Sequence, residues 1–143
     1  YKGGQYVGVR VRPEGSEYLQ VRQYSLSQKV AGNDLLRISV KAEHEGSVSN
    51  YLHSGNSGDA LSLQAPTGVF TLANKQAKQI FIAGGVGITP LISMMQEALL
   101  QGTCHDDILF IQCAKDENHQ IFQQDFHNIP SLSCNLRIQP RET

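Results

Sequence analysis

The stretch Ile80-Phe81-Ile82-Ala83-Gly84-Gly85-Val86-Gly87-Ile88-Thr89-Pro90 decides the fold of this chain. Its first four residues form a continuous apolar run, which is typical of a parallel strand that is buried on both faces. The glycines predict a tight turn. Thr89 as the N-cap and Pro90 at the first helical position then predict the start of a helix. A strand, a glycine turn and a helix in this order indicate a unit of an α/β sheet.

The residues that follow continue the α/β pattern. We expect a buried strand over Ile108–Ile111. Cys113, two residues after it, is predicted to be a small buried hydrophobe. A short helix over Ile121–Asn128 and a third strand over Leu136–Ile138 are predicted next. The preceding helix should end at Gly102, and one set of apolar residues recurs at helical spacing along its buried side: Leu91, Met94, Met95, Ala98 and Leu99. The predicted order is therefore β-α-β-α-β.

The residues that precede the glycine turn alternate between apolar and polar side chains, as half-buried strands do. The alternation covers four runs: Val7 to Val11, Leu19 to Val21, Leu36 to Val40 and Leu61 to Leu63. Turn signals such as Pro13-Glu14-Gly15 and Pro66-Thr67-Gly68 lie between these runs. Short strands with tight turns predict an antiparallel barrel or sandwich. The polar stretch from Ala73 to Lys78 predicts a boundary that separates domains of residues 1–74 and 75–143.

The composition excludes several classes of function. The 143 residues include 12 Lys and Arg against 13 Asp and Glu, with a net charge of -1. The chain therefore lacks the positive excess that nucleic-acid binding or a polybasic membrane surface requires. Its longest apolar stretch, Ile80 to Ile92, is interrupted by glycines and Pro90 and is too short to span a membrane. The five histidines show no metal-ligand spacing, so we expect no metal site. The three cysteines form no CxxC pair, so we expect a reducing, cytoplasmic location.

The glycine turn is the first motif that could carry chemistry. It exposes backbone N–H groups at the positive end of a helix dipole, and no Cβ prevents a phosphate from approaching. The stretch Gly84–Pro90 therefore suits a diphosphate, although it matches neither the dinucleotide GxGxxG pattern nor a Walker loop. The alternative is a tight turn that binds nothing.

Two further motifs are less specific. In Arg22-Gln23-Tyr24-Ser25 the first and third residues share a face, so a cation that suits a phosphate lies beside a ring that can stack on a planar cofactor. The alternative is an exposed Arg stacked on a Tyr. The stretch Gly46-Ser47-Val48-Ser49-Asn50 predicts the start of a short helix, which is either another anion site or an ordinary capped turn.

Together these motifs, with Ala65-Pro66-Thr67-Gly68-Val69-Phe70 between them, resemble the ferredoxin–NADP reductase superfamily. Within it the chain is similar to the reductase region of the flavohaemoglobins, the nitric oxide dioxygenases, which share the spellings Gly-Gln-Tyr, Arg-Gln-Tyr-Ser and Val-Ser-Asn-x-Leu-His. The resemblance covers nearly the whole chain. It implies an antiparallel β-barrel that holds FAD, followed by a Rossmann-like α/β domain for the nicotinamide nucleotide.

The resemblance also implies roles for individual residues. Tyr24 would stack on the flavin, Ser25 would lie near its reactive edge and Arg22 would meet the pyrophosphate. Ser25 and Thr89, the latter beside the nicotinamide, would be the catalytic residues. The FAD-binding set would be Tyr6, Arg22, Gln23, Tyr24, Ser25, Gly46, Ser47, Val48 and Ser49. The nucleotide-binding set would be Gly85, Val86, Gly87, Ile88, Thr89 and Pro90.

The implied activity is that of an FAD-dependent NAD(P)H oxidoreductase. Hydride would pass from NADH or NADPH to FAD, and electrons would pass on to a haem in a globin domain of the same full-length protein. Asp116 and Glu117 either belong to an ordinary solvated loop or place carboxylates that would disfavour a 2′-phosphate and so favour NADH. The alternatives are a reductase component of an iron–sulfur oxygenase and a flavin-free binding module on the same scaffold.

The resemblance further implies that this chain is a piece of a longer protein. The family's globin domain and part of its first barrel strand would precede Tyr1. The C-terminal part of its nucleotide-binding domain would follow Thr143. We therefore expect the chain by itself to bind FAD weakly and to turn over NAD(P)H poorly or not at all.

Overall fold

Two sheets of different type organise the chain. The computed structural model describes residues 1–29, 32, 35–74 and 77–127. We refer to residues 1–74 as the N-terminal part and to the residues from 77 onward as the C-terminal part. The predicted strand over Leu136–Ile138 lies outside the described residues.

The N-terminal part contains a three-stranded antiparallel sheet in the order β2-β1-β3. The strands are β1 (Tyr6–Val11), β2 (Gln20–Ser25) and β3 (Ser62–Leu63). Val7 and Val9 of β1 are fully buried and form a small core with Val11, Leu26 and Val48. The antiparallel sheet is confirmed, but the strands that the structure describes do not close into the predicted barrel.

The predicted strand from Leu36 to Val40 is wrong in extent. The described residues of this run make one isolated bridge, between Ile38 and Leu26. Polar contacts fix the run beside this bridge, because Ser27 N donates to the Arg37 carbonyl at 2.8 Å and the hydroxyl oxygens of Ser27 and Ser39 lie 2.9 Å apart. The backbone is thus held by separate contacts rather than by a continuous ladder.

Helix α1 (Ser47–Ser54) follows this run, as expected, and buries Val48 and Ser49. In the C-terminal part, strands β4 (Gln79–Gly84) and β5 (Ile108–Cys113) form a parallel pair. Helix α2 (Ile88–Leu100) connects them and α3 (Gln123–His127) comes last. The helices and strands predicted for this part are confirmed within the described residues, with shorter bounds for α3. The expected burial of β4 on both faces is wrong, because only the face with Phe81 and Ala83 packs in a core, whereas Ile80 and Ile82 on the other face are 66% and 64% exposed.

A second core lies between α2, the parallel strands and α3. Its fully or nearly buried members are Phe81, Ala83, Ile88, Ile92, Met94, Met95, Ala98, Ile108, Phe110 and Phe126. The rings of Phe81 and Phe110 stack with their centroids 5.6 Å apart. Gly102 ends the helix region with a φ of 89°, a conformation that glycine adopts without strain.

Two local predictions are corrected. Helix α2 begins at Ile88 with Gly87 as its N-cap, because the 3₁₀ turn Gly85–Gly87 runs directly into the helix. Thr89 is therefore the second residue of the helix and does not cap it. Pro90 is the third residue rather than the first. Cys113 is exposed rather than buried, because it ends β5 on the opposite face from the buried Phe110 and Gln112.

Polar contacts join the two parts of the chain. The amides of Gly3 and Gly4 donate to Glu97 Oε2 at 2.8 Å and to Ser93 Oγ at 3.0 Å. The amide of Lys29 donates to Gln96 Oε1 at 2.6 Å. Helix α2 is therefore held against the segment that leads into β1.

Candidate functional site

A cleft of about 520 Å³ lies where the two parts of the chain meet. Its walls come from the end of β2, the start of α1 and the turn that leads into α2. The residues that line it are Arg22, Gln23, Tyr24, Ser25, Ser39, Lys41, Glu43, Glu45, Gly46, Ser47, Val48, Ser49, Val86, Gly87, Thr89 and Pro90. Three separate stretches of sequence thus meet at one cavity.

Tyr24 and Arg22 lie on the same side of β2. They are opposite Val7 and Val9 of β1, respectively. The Tyr24 ring is half-buried and packs against the small N-terminal core. This burial raises the pKa of Tyr24, and the nearby Arg22 charge partly opposes the rise. The phenol is therefore neutral at physiological pH, and its ring forms an apolar wall of the cleft.

Arg22 places a permanent positive charge on the same wall. Its Nη1 donates to the Val21 carbonyl at 2.9 Å, and the side chain is exposed. A guanidinium carries several N–H donors in a planar fork that matches the oxygens of a phosphate. Further along the cleft, Lys41 Nζ pairs with Glu43 Oε1 at 2.9 Å, so these two charges neutralise one another.

The start of α1 supplies backbone donors. Its N-cap is Gly46, and no side chain caps the helix there. Ser49 Oγ instead donates to the Gly46 carbonyl at 2.9 Å and accepts from the Glu43 amide at 3.2 Å. A Cβ on Gly46 would lie 2.3 Å from this oxygen, so a side chain there would displace the Ser49 hydroxyl. The first N–H groups of the helix are left for an anion.

The glycine turn forms the facing wall. Gly85 has a φ of 54°, and a Cβ built on Gly84, Gly85 or Gly87 would have no heavy atom within 4 Å. Open space therefore adjoins the backbone of this turn. Thr89 Oγ1 donates to the Val86 carbonyl at 3.0 Å, which holds the hydroxyl at the rim of the cleft.

The structure brings together most of the residues that the sequence singled out. Three of them do not line the cleft. Tyr6 lies opposite Ser25 in the sheet, with its ring against Gly68. Gly85 lies within the 3₁₀ turn. The Ile88 side chain is fully buried in the second core, so only its backbone could approach a ligand.

Sequence reasoning missed one group of lining residues, namely Ser39, Lys41, Glu43 and Glu45. They follow one another at every second position. In an extended segment this spacing puts side chains on one face, so the spacing was the available signal.

A second, open cavity of about 530 Å³ lies beside α3 and is lined by Glu117, Asn118, Gln120, Phe122, Gln123, Gln124 and Asp125. Asp116 lies next to it and caps a 3₁₀ turn, since its Oδ1 accepts from the amide of Asn118 at 2.9 Å. A hydrogen bond from His119, whose ring nitrogen is 2.7 Å away, is the main cause that lowers the pKa of Asp116. This carboxylate therefore stabilises its own 3₁₀ turn through these hydrogen bonds.

None of the helices in the described ranges is both long and apolar enough to cross a bilayer.

Comparison with known proteins bears on the same two parts. Residues 1–72 match the family model of the oxidoreductase FAD-binding domain. Residues 81–139 match that of the oxidoreductase NAD-binding domain. These ranges contain the two walls of the cleft.

Curated relatives and a solved structure agree with these matches. A flavohemoprotein of Bacillus subtilis is 41% identical over 127 residues, which are 87% of this chain and 31% of that protein. A flavohemoprotein of Pseudomonas putida is 46% identical over 114 residues, 79% of this chain and 28% of the relative. The crystal structure of the FAD/NAD-binding domain of a nitric oxide dioxygenase from Vibrio cholerae superposes with a TM-score of 0.86 at 31% identity. That match covers 100% of this chain and 62% of the other.

The chain spans about a third of the length of the curated relatives it matches. The comparisons confirm the resemblance to the ferredoxin–NADP reductase superfamily and to the flavohaemoglobin reductase region. Since the first family model covers half of the chain, the protein belongs to the oxidoreductase FAD-binding domain family.

Proposed function

We propose that this chain is the reductase region of a flavohaemoglobin of the nitric oxide dioxygenase type. In this function it passes hydride from NADH or NADPH to FAD, and electrons continue to a haem domain of the full-length protein. The observation that carries the proposal is the single cleft lined by both the FAD-type and the nucleotide-type motifs. The flavohemoprotein relatives favour a haem acceptor over an iron–sulfur centre.

The donor set of the cleft fits FAD. The cofactor has a planar ring system and a diphosphate, and the cleft offers a half-buried ring at Tyr24 and a guanidinium at Arg22. The uncapped start of α1 adds backbone N–H groups to the same cleft. When bound, FAD supplies the redox chemistry.

The residues of the chain itself bind FAD and orient it. Tyr24 provides a stacking surface, and burial raises the pKa of its phenol further above the ordinary value of 10.0. Arg22 and the amides at Ser47, Val48 and Ser49 neutralise the diphosphate. Gln23 and Ser25 line the same wall, and we assign the Ser25 hydroxyl to the reacting edge of the cofactor.

The glycine turn is assigned to the nicotinamide nucleotide. The space beside Gly87 lets phosphate oxygens reach backbone N–H groups, and Val86 and Pro90 border that space. Thr89 lies at the rim, where its hydroxyl can contact the nicotinamide. We assign Gly85 and Ile88 to backbone contacts only, and Tyr6 to the support of Ser25, its neighbour across the sheet.

The proposed function divides the chain into two domains. Residues 1–74 form the FAD-binding domain, whose barrel is completed in the full-length protein, and residues 75–143 belong to the NAD(P)-binding domain. We place the protein in the cytoplasm, since Cys104 and Cys113 are exposed free thiols. NADH is the proposed donor, with the exposed carboxylate of Glu117 beside the second cavity as the group that disfavours a 2′-phosphate.

The test is the visible absorption spectrum of the purified chain after FAD is added in excess and the sample is desalted. Because we expect the chain by itself to bind FAD weakly, flavin bands should remain at low occupancy and should bleach slowly and anaerobically when NADH is added. An Arg22→Ala variant should lose the bands, whereas Arg12→Ala, at an exposed position outside the cleft, should keep them. A folded chain that shows no flavin bands after desalting, although it was incubated with FAD at concentrations well above micromolar, would contradict the proposal for this chain.

A further inference from the structure

Helix α2 carries three buried polar side chains on one face. Thr89, Ser93 and Glu97 follow one another at intervals of four residues and are 6%, 0% and 5% exposed. Residues four apart lie above one another on a helix. A buried polar group in this stripe is costly unless it has a hydrogen-bond partner. The Thr89 and Ser93 hydroxyls donate to the Val86 and Pro90 carbonyls at 3.0 and 2.9 Å, which leaves their oxygens able to accept from outside the helix.

The partners of two stripe residues come from the N-terminal part of the chain. Gly4 N donates to Ser93 Oγ at 3.0 Å, and Gly3 N donates to Glu97 Oε2 at 2.8 Å. Both bonds are buried. The third stripe residue, Thr89, lines the cleft. One face of α2 thus contacts the N-terminal part along its length and ends at the candidate site.

The contact is between backbones and leaves little room for adjustment. A Cβ on Gly3 would lie 2.6 Å from the Ser93 carbonyl oxygen and 2.8 Å from Met94 Cα. A Cβ on Gly4 would lie 2.0 Å from the Phe70 carbonyl oxygen. At Gly3 these atoms belong to the main chain of α2, so a side chain there would push the segment and the helix apart. At Gly4 the main-chain contact is with Phe70, and the contact with α2 is with the side-chain atom Met94 Cε at 2.3 Å.

The segment that contains Gly3 and Gly4 also contacts the wall of the cleft formed by the end of β2. It leads directly into β1, which pairs with β2 along its whole length. The Leu26 amide, just beyond Ser25, donates to the Gln5 carbonyl at 2.9 Å. A displacement of α2 relative to Gly3 and Gly4 would therefore change the separation between Thr89 and the end of β2.

We propose that Ser93 and Glu97 are positioning residues that set the distance between the two walls of the cleft. They act through the amides of Gly3 and Gly4, and they touch no ligand. This inference rests on the proposed function, since the distance matters because hydride passes between the two bound nucleotides. An error of about 1 Å in such a distance can reduce a rate by roughly 100-fold.

The test measures the distance directly. Spin labels are placed at Asn50→Cys on α1 and Leu100→Cys on α2, both exposed, in a chain whose three native cysteines are replaced by serine. Pulsed electron paramagnetic resonance then gives the distribution of distances between the labels. We expect a narrow distribution in this parent. The Ser93→Ala/Glu97→Ala double variant and Gly3→Ala should each shift or broaden it.

Two matched variants separate positioning from general damage. Glu97→Gln keeps an acceptor oxygen for the Gly3 amide and should retain the parent distribution. Gly55→Ala should leave it unchanged, because an added Cβ there meets only ordinary contacts at 3.5 Å or more. If the double variant does not fold, as judged by circular dichroism, Gly3→Ala and the Ser93→Ala single variant decide the question.

Kinetics supply the second readout. In the double variant the rate of flavin reduction at saturating NADH should fall by about 10- to 100-fold. The dissociation constant for FAD should stay within about twofold of the parent value, because neither Ser93 nor Glu97 lines the cleft. Parent-like distance distributions in the double variant and in Gly3→Ala would overturn the inference. If the parent chain binds no FAD, the proposed function fails, while the label distances still decide whether the stripe sets the spacing.

Discussion

Arg37 Nη2 lies 2.7 Å from Asp125 Oδ1, and 88 positions of sequence separate the two residues. The same nitrogen donates to the Ser27 carbonyl, and the guanidinium lies 5.2 Å from the centroid of the Phe122 ring. The side chains of Arg37 and Asp125 are 33% and 16% exposed. The pair therefore joins the N-terminal part to α3 in surroundings that water screens less than an ordinary surface pair.

Removal of this pair should lower the free energy of unfolding. We expect Asp125→Asn and Arg37→Met to cost about 1–3 kcal/mol each, since each change leaves a partly buried charge or donor without its partner. In a double-mutant cycle, the coupling should be about 1 kcal/mol. Urea denaturation followed by circular dichroism measures all three variants. The exposed pair of Lys41 and Glu43 is the control, with an expected coupling of about 0–0.5 kcal/mol, and equal coupling in both pairs would contradict the prediction.

Tyr24 should be needed to retain FAD. Tyr24→Ala removes the half-buried ring on the cleft wall, so we expect a large loss of flavin occupancy after desalting. Tyr24→Phe should keep most of it, because stacking depends on the ring rather than on the hydroxyl. Tyr18→Ala, which changes a tyrosine that is 76% exposed and outside the cleft, is the matched control. Undiminished occupancy in Tyr24→Ala would refute the assignment.

The ionisation of Tyr24 should be delayed relative to that of an ordinary tyrosine. Burial raises its pKa above 10.0 and the Arg22 charge only partly lowers it. In the window between 10.0 and the raised pKa, the folded chain holds a proton that the unfolded chain has lost. The stability due to this group is therefore complete below pH 10 and is lost as the pH rises through the raised pKa. Subtraction of the tyrosinate absorbance titration of Tyr24→Phe from that of the parent should give a midpoint above 10.0; a midpoint at or below this value would show that the ring is not desolvated.

Gly87 should matter for nucleotide binding and not for folding. A Cβ at this position meets no heavy atom within 4 Å, so Gly87→Val should fold normally while its side chain fills the space beside the turn. We expect the dissociation constant for NADH to rise by about tenfold, which corresponds to the loss of one or two hydrogen bonds to the nucleotide phosphates. Fluorescence titration with NADH measures the change. Gly55→Val serves as the control, and an unchanged affinity in Gly87→Val would place the nucleotide elsewhere.

Local pattern was sufficient for most helices and strands. The alternation in Val7 to Val11 and the apolar run that begins at Ile80 predicted β1 and β4, because the side-chain period of a strand is a local property. The start of α2 was misplaced, because Thr89 and Pro90 are residue types that suit an N-cap and a first helical position, whereas the 3₁₀ turn of Gly85–Gly87 runs directly into a helix that begins at Ile88. The strand over Leu36 to Val40 was overextended, since pairing requires a partner that the sequence of one strand does not specify.

The sequence by itself determined the types of element, the glycine turn and the motifs from which the family was inferred. These follow from side-chain periodicity and from backbone conformations that only glycine adopts easily. The tertiary structure alone decided that β2, α1 and the turn before α2 line one cleft, and that Ser93 and Glu97 receive the amides of Gly4 and Gly3. The physical reason is that a buried polar group selects its partner by proximity in space, which no local pattern encodes.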